Sequence, residues 1–248
     1  MLRRLYELAR YNRDWPAYLF GRLQRPGKDD LSTFRLRNGQ VITLKSEARF
    51  TLNEIYLDHV YDVPGVDLAR CASVLDIGAN VGLFALYVAS RAPRANLHCF
   101  EPERRNFELL ERNLQANQVR AQAYQRAVST SVGAGHLHVS AKSIEYSLGE
   151  AGANTTQVEC VDWDSVFKLA GVERFDFMKM DIEGHEREIL AQCRDEQLRR
   201  LGAFSLEWHH DLEELRALAR RLQRIGFDAN PTVRDGHVLY LKARARPT

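Results

Sequence analysis

The chain has little that would staple, anchor or chelate. Its four cysteines, Cys71, Cys99, Cys160 and Cys193, form no CxxC pair and keep no metal-like spacing with histidine. That excludes a disulfide framework or a zinc module of the usual pattern. Three of them sit in apolar stretches, as small buried residues in a reducing compartment do. No segment stays apolar for the length of a membrane span, and the first residues hold no uninterrupted apolar leader, so the expected location is cytoplasmic. There is no internal repeat and no low-complexity tract. Charge of one sign is missing too: 35 basic and 33 acidic residues leave a net +2, too little for a molecule built as a whole to bind polyanions.

The imbalance that exists is at the ends. Residues 1–28 carry seven basic groups against two acids, and residues 242–248 add Lys242, Arg244 and Arg246 with no acid. Such ends would suit peripheral contact with a membrane surface or a nucleic acid, although solvated arginines beside a helix are the simpler reading. Leu2, Leu5, Leu8 and Ala9, then Trp15, Leu19, Phe20 and Leu23, recur at helical spacing. Residues 2–24 are therefore read as a helical cap packed on the main body, with a membrane-surface helix as the alternative.

Residues 27–30 are a polar break. In FRLRNGQVITLK (34–45) the pair Asn38-Gly39 separates two alternating runs, a hairpin signal because both residues tolerate positive φ. A helix is expected over 51–60. From Ser73 the pattern turns to strand, helix, strand, helix. Strands are expected at 74–77, 96–100, 121–128, 175–180 and 203–207, with helices at 83–90, 103–117, 165–169, 185–193 and 212–225. Asp164 is read as the cap of the 165–169 helix. Further alternating segments lie at 136–140 and 156–161, and strand 238–241 pairs with the region 227–233. Such alternation means crossover units and a mostly parallel sheet covered on both faces. The expected organisation is a helical and hairpin cap over 1–70 and an α/β domain over 71–248.

In open α/β sheets, ligands bind beyond the carboxyl ends of the strands. The first of these strands leaves as Asp76-Ile77-Gly78-Ala79-Asn80-Val81-Gly82. Gly78 and Gly82 let the backbone turn tightly and approach a ligand. A loop meant for pyrophosphate presents bare amides, and Asp76 would repel phosphates. An ammonium-bearing, phosphate-free nucleoside such as S-adenosylmethionine suits it better, and the absence of GxGxxG disfavours a nicotinamide cofactor. The second strand ends at Glu101, placed to accept hydrogen bonds from ribose hydroxyls. Ala127, at the third, leaves room for the adenine rim.

The fourth strand delivers Asp181, Glu183, Gly184 and His185, and the fifth delivers Glu207, Trp208 and His209. If the acceptor is a hydroxyl, its proton needs a base. Asp181 ranks first by position, then Glu207 and His209, since clustered acids raise one another's pKa. Of His209 and His210, at most one should face the cleft. Lys179 points away from Met180 towards an acid. Asp181, Glu207 and His209 are also hard-ligand types. No second carboxylate immediately follows Asp181, so a metal-free site is the preferred reading. Capping of the following helix is the competing role for Asp181 and Glu183. Residues 141–155 form a polar loop suited to substrate selection.

On VLDIGANVGLF (74–84), FEP (100–102), the asparagine-bearing helix to Asn117, WDSV (163–166), FMKMDIEGHEREIL (177–190), SLEWHH (205–210) and the lead-in TLNEIYLDHVY (51–61), the chain resembles the FkbM-type family of S-adenosylmethionine-dependent methyltransferases. The resemblance runs from about Phe34 onward, and MKMDIEGHE is its most specific part. It implies a Rossmann-like class I fold with a seven-stranded sheet and, usually, O-methylation of a hydroxyl on a sugar or natural product. Carried over by position, it implies that Asp76, Gly78, Asn80, Gly82 and Glu101 hold the cofactor. Asp181, Glu183, His185 and Glu207 would line the catalytic cleft. The alternatives are nucleic-acid methylation, against which stands the lack of an Asn/Asp-Pro-Pro-aromatic segment, and a binding module without chemistry.

Overall fold

The computed structural model describes residues 2–16, 31–139, 146–149 and 155–246. Helix α1 (Leu2–Tyr11) stops where the hydrophobic spacing breaks at Asn12. Residues 17–24 of the expected lead-in helix lie outside the described residues. Leu8 is buried, and the Tyr11 hydroxyl donates to Asn53 Oδ1 at 2.7 Å, so the end of α1 is docked on the body of the protein. The hairpin forms as Asn38-Gly39 indicates, with β1 (Leu31–Arg35) antiparallel to β2 (Val41–Lys45) and Gly39 at φ +91°. Helix α2 (Arg49–Tyr56) is shorter than the expected 51–60 span.

The main sheet has seven strands: β3 (Ser73–Ile77), β4 (Asn96–Phe100), β5 (Ala121–Tyr124), β10 (Phe175–Met180), β11 (Leu201–Trp208), β12 (Phe227–Arg234) and β13 (Val238–Ala245). Their order is β12-β13-β11-β10-β3-β4-β5. Only β13 runs against its neighbours. The chain winds outward from β3 first to β4 and β5, then back to β10, so the topological switch point lies between β3 and β10. Helices α3 (Leu83–Ala89) and α4 (Arg104–Ala116) bury Phe84 and Leu110 in one core. That core includes Phe34, Leu44, Leu52 and Tyr61 from the cap, so cap and sheet share one hydrophobic cluster. Helices α5 (Trp163–Ala170), α6 (Glu186–Gln192), the short α7 (Asp195–Leu198) and α8 (Leu212–Arg224) enclose a second core with Met178, Met180 and Phe204. Alternation along the strands produces this division: Val74 and Phe177 go to the first core, Leu75 and Met178 to the second.

Two expectations need correction. The single strand read over 121–128 is two: Arg126 breaks it, and β6 (Ala127–Val128) leaves the main sheet. It joins β7 (Gly133–Val139), β8 (Tyr146–Gly149) and β9 (Thr155–Val161) in a separate sheet of order β6-β9-β7-β8. The alternating segments at 136–140 and 156–161 are its antiparallel pair β7 and β9. The α5 cap is Asp162, which accepts from Ser165 N at 2.9 Å, while Asp164 lies inside the first turn and accepts from Gln197. Most of the loop 141–155 lies outside the described residues.

Candidate active site

A cleft opens beyond the carboxyl ends of β3, β4 and β10, where the switch point puts it. Gly78 at φ +75° donates to Phe100 O at 3.0 Å, and a Cβ there would sit 1.8 Å from the Asp181 carbonyl oxygen. Any side chain would drive the β3 and β10 loops apart. Gly82 at φ +85° caps α3, and its Cβ would come 2.6 Å from Leu110 Cδ1. Asn80, at φ +50°, points its amide at Glu101 Oε2 (2.8 Å). Glu101 Oε1 takes Glu103 N at 2.9 Å. Burial pushes this carboxyl up to about 7 in spite of those two bonds. Gly78, Asn80, Glu101 and Ala127 line the cleft with apolar Phe100, Val128 and Leu137.

Asp76 is not among the lining residues. Its side chain is only 3% exposed and faces Lys179 Nζ at 3.4 Å. In this structure the Asp76 carboxylate is the counterion of a buried lysine, set behind the cleft wall. Lys179 alternates away from Met180 as expected, donates to Gly78 O at 2.6 Å and lies 3.8 Å from Asp181 Oδ2. Burial opposes its charge, but Asp76 and Asp181 outweigh that and hold its pKa above the ordinary value.

At the other end of the cleft, Asp181 and Glu207 meet beneath Tyr61. The Tyr61 hydroxyl donates to Asp181 Oδ2 at 2.8 Å and reaches Glu207 Oε2 at 3.4 Å. Burial, then the Asp181 charge, pushes the Glu207 carboxyl up to about 8. His209 Nε2 stands 3.4 Å from Glu183 Oε2, 3.7 Å from Glu207 Oε1 and 4.0 Å from Asp181 Oδ1. Its Nδ1 is 3.0 Å from Glu186 Oε1, which also accepts from Ile182 N and Gly184 N. Burial disfavours the imidazolium, yet the Glu186 bond and the surrounding carboxylates raise its pKa to about 9. His210 turns elsewhere, edge-on to Trp208 and 3.9 Å from Glu186 Oε2. His185 lines the cleft but is directed to Ser129 Oγ (3.3 Å) and Glu188, and burial lowers its pKa.

The expected catalytic residues thus divide. Asp181, Glu183, Glu207 and His209 converge, and His185 faces a different partner. Sequence reasoning passed over Tyr61, which lies in a loop with no periodicity to mark it. It also passed over Glu186, legible only as the last acid of IEGHE, and over Asn106 on the cleft wall. Asp181, Glu207 and His209 each place one donor atom within 4.8 Å of the others, close enough to share a cation.

The family model described as "Methyltransferase FkbM domain" matches residues 76–229. The chain is 30% identical over 186 residues to Methyltransferase sdnD of Sordaria araneosa, covering 61% of this chain and 71% of that one. It is 27% identical over 215 residues to 31-O-demethyl-FK506 methyltransferase FkbM of Streptomyces tacrolimicus, covering 73% and 83%. Against AMB antimetabolite synthetase AmbE of Pseudomonas aeruginosa, identity is 29% over 230 residues, covering 75% of this chain but 11% of that far longer protein. Among solved structures, the Methanococcus jannaschii fibrillarin pre-rRNA processing protein shares the fold, at a TM-score of 0.51 and 13% identity, covering 90% of this chain and 86% of that one.

Proposed function

The chain belongs to the FkbM methyltransferase family, and on that premise we propose that it methylates a hydroxyl of a saccharide or natural-product small molecule with S-adenosylmethionine. The observation that carries this reading is the shared cleft: a nucleoside-type wall at Gly78, Asn80 and Glu101 faces an acid cluster across the β3–β10 switch point. When bound, S-adenosylmethionine supplies a sulfonium methyl: its S–C bond breaks as the acceptor's O–C bond forms, and the acceptor's proton leaves. Glu101 would accept from the ribose hydroxyls, and Phe100 and Ala127 would flank the adenine. Displacement of this kind asks the protein mainly to align the partners and exclude water. Asp181 and Glu207, bridged by Tyr61, would take the acceptor's proton. Glu207, its carboxyl pushed up to about 8, is in its ionised form a stronger base than an ordinary carboxylate. The 1–70 cap completes the site through Tyr61, and 71–248 carries the remainder.

Calorimetric titration with S-adenosylhomocysteine against NAD tests the cofactor, and a radiolabelled methyl-donor screen finds the acceptor. Binding of NAD alone would overturn the reading. With an acceptor in hand, Glu207→Gln is expected to lower kcat about 100-fold or more, with S-adenosylhomocysteine affinity unchanged.

A further inference from the structure

We infer that His209 Nε2, Asp181 Oδ1 and Glu207 Oε1 form a binding site for one divalent cation of the magnesium or manganese type, with Glu186 as the positioning residue behind it. Glu186 is fully buried, and its Oε1 receives two backbone amides as well as His209 Nδ1. A carboxylate at Nδ1 fixes the proton there, so in the neutral ring the Nε2 lone pair faces the cleft. Three carboxylate oxygens surround Nε2: the protonated ring is their counterion, and a divalent cation that displaces that proton would take its place among them.

The distances leave room for an ion. The 3.4, 3.7 and 4.0 Å separations from Nε2 exceed those of charged hydrogen bonds, about 2.7–2.9 Å. Ligands on an ion with bonds of about 2.1 Å lie roughly 3.0 Å apart at right angles and roughly 4.2 Å apart across it. The observed values fall inside that range. Each carboxylate is also divided in use: Asp181 Oδ2 and Glu207 Oε2 face Tyr61 and their other oxygens face His209, while Glu207 has a further side-chain hydrogen bond with Tyr240. Lys179, the nearest ammonium, is closer to Asp76 (3.4 Å) than to Asp181 (3.8 Å) and leaves the cluster with an excess of negative charge. The carboxylate–histidine–ion relay is the usual way a protein fixes an imidazole ligand. The second carboxylate that the sequence lacks directly after Asp181 is supplied in space by Glu207. The consequence for catalysis rests on the proposed function: an acceptor oxygen on the ion would lose its proton more readily, and Oδ2 and Oε2 remain beside Tyr61 to receive it.

The test is titration of Mn(II) alone into chelator-stripped protein, followed by electron paramagnetic resonance and calorimetry. One ion per chain is expected. His209→Ala and Glu207→Gln should each weaken binding at least tenfold, and Glu186→Gln about 10–100-fold, while Asp164→Asn changes nothing. Thermal melts and S-adenosylhomocysteine titrations on the same samples report folding and the cofactor pocket. No saturable Mn(II) binding by folded wild-type protein overturns the proposal, as does equal affinity in folded His209→Ala. If Mn(II) fails while S-adenosylhomocysteine binds, the ion site alone is lost. The converse result removes the cofactor reading and leaves the ion.

Discussion

Glu101 shows how burial and function pull on one carboxyl. Enclosed by Asn80 and the start of α4, it holds its proton up to about pH 7. Ribose hydroxyls are donors and favour the carboxylate. S-adenosylhomocysteine is therefore expected to bind about tenfold more weakly at pH 6 than at pH 8, and Glu101→Ala should flatten that dependence; calorimetry across the range checks both. The sequence makes Glu101 visible because an acid at the end of a strand has few structural reasons to be there. Asp76 is as visible, but its direction is not. Only the register Lys179↔Asp76 between adjacent parallel strands shows that the carboxylate faces a buried lysine. Tyr61 could not have been assigned from the chain alone, because its partners Asp181 and Glu207 lie 120 and 146 residues away.

Helix α4 holds the hairpin by imitating a strand. Asn113 and Asn117, one turn apart, present their side-chain amides to alternate residues of β2. Asn113 accepts from Thr43 N and donates to Thr43 O, and Asn117 does the same at Val41, all at 2.7–2.8 Å. The match is geometric: about 6 Å between side chains four apart on a helix meets about 6.8 Å between alternate strand residues. Asn113→Ala leaves buried amide and carbonyl groups unsatisfied and is expected to cost about 3 kcal/mol. Urea unfolding measures the cost, and faster hydrogen exchange at Val41 and Thr43 would locate it. The elements themselves were legible where the period was long, as in α4 and α8, and where Asn38-Gly39 forces a turn. The break at Arg126 was not, because two residues of β6 carry no periodicity and their pairing partner β9 is 33 positions further on.

The order of strands and helices along the chain follows from alternation, and since ligands bind beyond the carboxyl ends of such strands, the loops that form the cleft were readable before any contact was known. The small β6-β9-β7-β8 sheet was not, since local pattern does not say which sheet a strand joins. The cleft also sets the molecule's pH response. Glu101, Glu207 and His209 all have folded pKa values above their ordinary ones, at about 7, 8 and 9. Each binds its proton more tightly when folded, so its contribution is complete below its unfolded pKa and is lost as pH rises through the folded one. The metal-free protein is expected to lose at least about 2 kcal/mol between pH 5 and 9, a fall in Tm of roughly 4–8 °C. Calorimetric scans in chelator show whether it does. The contact of the Gly78 Cα with the Asp181 carbonyl has a last consequence, for kinetics. On the proposed function the first loop would hold the donor and the second the proton acceptor, and loops packed this closely at Gly78 move together. Donor should therefore load before acceptor and spent donor leave last, so S-adenosylhomocysteine is expected to inhibit competitively against the donor and noncompetitively against the acceptor. A random-order pattern in initial-rate measurements would show the two loops to be uncoupled.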